Sequence, residues 1–118
     1  MPTLIANLSI GKGTWGHVGR LIEDSSWDKV ILITNDYGRE NFTKNDRSEF
    51  IVVKSNSGLR ELRDEICEAL KDKITDAEVG VNFISGSGRE HMALIAALLK
   101  LGVGIRLVAL TQEGIKEI

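Results

Sequence analysis

The run Lys29-Val30-Ile31-Leu32-Ile33-Thr34 constrains this chain more than any other feature. Its apolar residues are consecutive rather than alternating, the pattern of a strand covered on both faces, and such strands belong to parallel sheets layered between helices. Further strand-like runs lie at Leu4 to Ile10, Phe50 to Val53, Val79 to Ile84 and Ile105 to Leu110. The segments between them carry a helical period. Trp15 to Glu23 places Val18, Leu21 and Ile22 on one face, and Leu59, Leu62, Ile66, Leu70 and Ile74 recur at helical spacing behind Ser57, a candidate N-cap. A helix from about Arg89 to Leu101, closed by Gly102, is apolar nearly all round, so both the sheet and a second subunit are expected to cover it. Asn35 to Ser48 is polar, reads as a long connection without a helix, and leaves the direction of the third strand open.

Strands alternating with helices predict an α/β domain with a Rossmann-like open, mostly parallel sheet of about five strands and helices on both faces. Gly114 to Ile118 is a candidate short edge strand. The length, 118 residues, matches one domain and leaves no room for a second. A net charge of -2 argues against sequence-blind nucleic-acid binding, so no direct DNA binding is expected. The lone cysteine, Cys67, precludes an intramolecular disulfide and reads as a small packed hydrophobe on the helix that begins at Leu59. No signal peptide opens the chain, and Leu4 to Ile10 is too short to span a bilayer, so the expected location is cytoplasmic and away from membranes.

Two glycine-rich turns carry the chemistry. In open α/β sheets, ligands bind beyond the carboxyl ends of the strands where the strand order reverses, and the helix N-termini there favour anions. The first turn, Gly11-Lys12-Gly13-Thr14-Trp15-Gly16, fits G-x-G-x-x-G between a strand and a helix, with Lys12 and Thr14 able to meet phosphate. Asp36 stands 20 residues past Gly16, where a dinucleotide-binding domain places its ribose-reading acid, so an NAD- or mononucleotide-binding module is one reading. Against it, no catalytic domain accompanies the turn, and Arg20 stands where close helix–sheet packing usually wants a small residue. A plain turn needing positive φ is the simplest alternative.

The second turn, Ser85-Gly86-Ser87-Gly88-Arg89-Glu90-His91-Met92, offers hydroxyls at Ser85 and Ser87 and a charged fork at Arg89. His91 is a candidate base or phosphate donor, set against the commoner solvated histidine of a first helical turn. Trp15 suits base stacking or core packing equally. Asn35 and Tyr37 follow the second strand and would line the same edge. His17 and His91 have no ligand-spaced cysteine or carboxylate companions, so no metal site and no cofactor is expected.

From Asn82-Phe83-Ile84-Ser85-Gly86-Ser87-Gly88-Arg89 to Met92, and on through Ala93 to Leu99, the sequence resembles the CRISPR-associated Rossmann-fold (CARF) domains. Their signature joins a strand ending in Asn-apolar-Ser/Thr to a glycine pair, a Lys or Arg, a Met and an alanine- and leucine-rich helix; here Ser87 interrupts the pair. The resemblance implies a homodimer in CRISPR-linked antiviral signalling that cradles a cyclic oligoadenylate second messenger. On it, Ser9, Ile10 and Gly11 match the first ligand-binding loop, and Ser85, Gly86, Ser87, Gly88 and Arg89 match the second; the residues themselves add Gly13, Thr14, Asn35 and His91 as candidate ligand-binding positions. It further implies either a sensor that hands its signal to a separate effector protein or a metal-independent ring nuclease, in which Lys12 or Arg89 stabilises developing charge. The third reading is a non-catalytic interaction subunit whose interface is the helix from Met92 to Leu101.

Overall fold

The computed structural model describes residues 2–9, 12–54 and 58–118, without the side chain of Lys12. The consecutive apolar run forms β2 (Lys29–Thr34), flanked by β1 (Thr3–Leu8) and β3 (Ser48–Val52). Beyond β1 lie β4 (Glu78–Asn82), β5 (Gly104–Thr111) and β6 (Gly114–Glu117), and the sheet order is β3-β2-β1-β4-β5-β6. Every neighbouring pair is parallel except β5 and β6, which form a closing antiparallel hairpin. The expected α/β class, Rossmann-like open sheet and edge strand are all present.

Alternation along the strands sends side chains to two separate cores. Leu4, Ala6, Leu8, Val30 and Leu32 pack against helix α1 (Trp15–Ile22), which follows a turn of 3-10 helix at Lys12–Thr14. Ile5, Ile31, Ile33, Ile51, Val79 and Val81 face the opposite way. There they meet Leu62, Ile66 and Leu70 of a helix at Leu59–Leu70, and Ala93, Leu94, Ala97 and Leu98 of a helix at Gly88–Leu101. Cys67 is half-buried and packs against this second core, as a small hydrophobe would.

One expectation is corrected. The polar connection after β2 holds a short helix, α2 (Asp36–Asn41), and β3 runs parallel to β2. Six residues are too few to display a period, and the helix is started by its cap: the Asn35 side chain accepts the Gly38 N–H at 2.9 Å. With α2 placed, the later helices are α3 (Leu59–Leu70) and α4 (Gly88–Leu101). Gly58 occupies the N-cap position of α3; Ser57, the residue expected there, lies outside the described residues. Gly102 ends α4 in the left-handed region, at φ 72°, as its position suggested.

The helices cover the sheet unevenly. On the α1 side, α1 reaches the far half of β5 but leaves the amino end of β4 without a helix. Trp27 lies there instead, its ring so close to β4 that a Cβ on Gly80 would come within 2.6 Å of it. On the other side, Met92, Ile95 and Leu99 of α4 and Leu107 of β5 are exposed, so the sheet covers only one side of α4.

Candidate functional site

Strand order reverses between β1 and β4, so the gap beyond their carboxyl ends is the switch point where open α/β sheets hold ligands. Both glycine turns leave from there. The Ser9 N–H donates to Ser85 Oγ at 3.1 Å, joining residues 76 apart in sequence. The structure therefore brings the two predicted loops together. Ile10, Gly11 and the Lys12 side chain, also assigned to the site, lie outside the described residues.

The first loop is anchored by Trp15, whose indole N–H donates to the Ser9 carbonyl at 2.8 Å. The ring is only 9% exposed and packs edge-on against Phe42 and tilted against Tyr37, with centroids 5.7 and 5.9 Å away. It therefore serves the core and holds the loop, with little face left for stacking on a base. Thr14 stands half-buried at the N-cap of α1 and makes no side-chain cap bond. Gly13 and Gly16 are exposed with open space beyond them, and neither has positive φ.

Among the described residues, two elements of the dinucleotide fingerprint lack the roles expected of them. Gly16 does not mediate close helix–sheet packing, and Asp36 is an exposed acid paired with Arg39 at 3.0 Å. Arg20 is exposed, away from the helix–sheet contact. Asn35, expected to line the edge, has its side-chain oxygen committed to capping α2.

The second turn is built from within. Gly86 has φ +103°, and a Cβ there would lie 3.1 Å from His91 Nε2 and 3.3 Å from Asn7 Cβ. The His91 Nε2–H donates to the Ser85 carbonyl at 2.8 Å, and its ring packs on Phe83 with centroids 4.9 Å apart. In this arrangement His91 braces the turn. Ser87 caps α4: its Oγ accepts the Glu90 N–H, while Glu90 Oε1 accepts the Ser87 N–H at 2.8 Å. This capping box was legible as Ser87-Gly88-Arg89-Glu90. It sets a carboxylate at the N-terminus of α4, so an anion entering here meets Glu90 as well as half-buried Arg89.

Two features escaped the sequence reading. Asn7 of β1 is 1% exposed, and neither its amide nitrogen nor its oxygen has a hydrogen-bond partner. Its signal was a polar residue inside an otherwise apolar strand. The second is a polar knot. Asn82 Nδ2 donates to the Val108 carbonyl at 2.8 Å and approaches His17 Nε2 at 3.3 Å, and the Leu110 N–H donates to that same nitrogen at 3.2 Å. With two donors converging, His17 Nε2 is an unprotonated acceptor, and burial holds the imidazole below its ordinary pKa. The knot ties α1 to the far half of β5.

Two hollows open elsewhere on β4 and β5. A groove of about 720 Å³ lies over Trp27, Gly80 and Arg106 on the α1 side, near the amino ends of the strands. A smaller apolar one of about 260 Å³ sits between Phe83, Ile84, Leu107 and Ile118. Among the described residues no group of three His, Cys, Asp or Glu could hold a metal ion, and no helix is long and apolar enough to cross a membrane. No family model matches the sequence, and no curated protein is significantly similar to it.

Proposed function

We propose that this chain is a CARF-like ligand-sensing domain that binds a cyclic oligoadenylate at the switch point between β1 and β4. The observation that carries the reading is the Ser9–Ser85 hydrogen bond, which joins the two candidate loops where the strand order reverses. A ligand seated there meets Ser85, Gly86 and Arg89 from one loop and Ser9, Gly13 and Thr14 from the other. The exposed stripe Met92, Ile95 and Leu99 with Leu107 suits a homodimer that doubles this site, with a separate effector protein as the reader of the signal. The same stripe favours the second reading, a non-catalytic interaction subunit.

Calorimetry against cyclic tetra- and hexaadenylate tests the binding reading. Heat saturating at one ring per dimer is expected; no heat with either ring rejects it and leaves the interaction subunit. A ring-nuclease version is tested in the same tubes. There the 2′-hydroxyl attacks its neighbouring phosphate, the bond to the 5′-oxygen breaks, that oxygen takes up a proton, and a linear product with a 2′,3′-cyclic phosphate remains. Arg89→Ala should slow product formation; an unchanged rate removes Arg89 from the chemistry.

A further inference from the structure

We infer that Asn7 reads the ligand's base. The inference rests on the proposed nucleotide site and names the residue that gives it adenine specificity. Asn7 stands one residue before the end of β1, and the Ser85–Gly86 turn lies over it: a Cβ on Gly86 would sit 3.3 Å from the Asn7 Cβ. Its amide is fully buried with both donor and acceptor unmet. Burying such groups without partners is costly.

On this inference the Ser85–Gly86 turn rises to admit the base. The turn is held to its surroundings at Ser85, by the Ser9 N–H on its hydroxyl and the His91 N–H on its carbonyl. Both groups can turn to water when the turn rises, whereas Asn7 has no bonds to lose. A ligand edge that slides beneath the turn therefore gains two hydrogen bonds from an amide that was making none. A carboxamide presents one donor and one acceptor side by side in a plane. One complement on a nucleobase, the one inferred for this ligand, is the Hoogsteen edge of adenine, a ring-nitrogen acceptor beside an amino donor; the same edge of guanine shows two acceptors.

The test measures binding of cyclic tetraadenylate, its 7-deazaadenine counterpart and cyclic tetraguanylate to the wild-type chain and to Asn7→Leu. Wild type should prefer the adenylate over the other two by at least about tenfold, the worth of one bidentate base contact. Asn7→Leu should bind the adenylate at least about tenfold more weakly and lose the preference over the 7-deaza ring. Equal adenylate affinity in the two proteins overturns the inference and leaves the oligoadenylate site standing; failure of wild type to bind any of the three rings removes both. Asn7→Ala carries the binding comparison if the leucine variant does not fold.

Discussion

The two glycine turns leave neighbouring parallel strands, precede helices and contain similar residues, yet they are made in opposite ways. Gly13 and Gly16 of the first are exposed, have ordinary backbone angles and face open space. That turn is held by an anchor sunk in the core, its Trp15, which packs on Phe42 and Tyr37 and bonds back to Ser9. Gly86 of the second has φ +103° and is hemmed in by Asn7, Glu90 and His91. This turn is fixed from within, by its own cap and brace. A glycine in a motif is thus informative when the chain around it needs the missing Cβ, and only the second turn meets that condition among the described residues.

Substitutions can break this comparison. The largest effect should come from Trp15→Ala, which empties a core site and frees the Ser9 carbonyl, at a cost of about 3–5 kcal/mol by denaturant unfolding. A loss below about 1 kcal/mol would mean that the first loop is not held by Trp15. Gly86→Ala should cost about 1–3 kcal/mol, since alanine is strained at that φ and crowds its neighbours. Gly16→Ala, exposed within α1, should instead gain about 0.5–1 kcal/mol. If the Gly16 and Gly86 variants lose equally, the contrast between the turns is wrong.

The smallest effect is a pH slope. Burial lowers the His17 pKa in the folded state, so the unfolded chain takes up its proton first as acidity increases. Stability from this group is fully present above the ordinary value of 6.5 and is lost as pH falls from there through the depressed folded value. Protonation turns the acceptor nitrogen into a donor facing the Leu110 N–H, so amide exchange at Leu110 should quicken in the same window. His17→Gln should flatten the slope; an unchanged slope would place the titration elsewhere.

Much of the architecture was legible because it rests on burial periodicity. Ile31 and Ile33 against Val30 and Leu32 announce a strand packed on both faces, and Leu62, Ile66 and Leu70 announce a one-sided helix. What failed to show was decided by single local bonds. The Asn35 cap begins α2 in a stretch too short for a pattern, whereas Thr14 at the N-cap of α1 makes no side-chain cap bond. Within the site, chain order indicated where the loops lie but not their internal commitments. His91 looked available and is bonded to Ser85; Ser87 looked like a ligand group and caps α4. Asn7 drew no notice because an asparagine in a strand reveals neither its burial nor its empty valences until the neighbours are placed.

The Ser9–Ser85 bond also bears on how the site comes into being. Residues 3–52 supply β1, β2 and β3, residues 59–117 supply the remaining strands, and one loop of the site belongs to each half. Contacts this distant in sequence form late, because a large loop must close before they are rewarded. On the proposed reading, neither half carries the whole site. A chain cut between β3 and α3 should therefore recover ligand binding only as its fragments reassociate, which would make occupancy of the site a direct reporter of the two halves meeting.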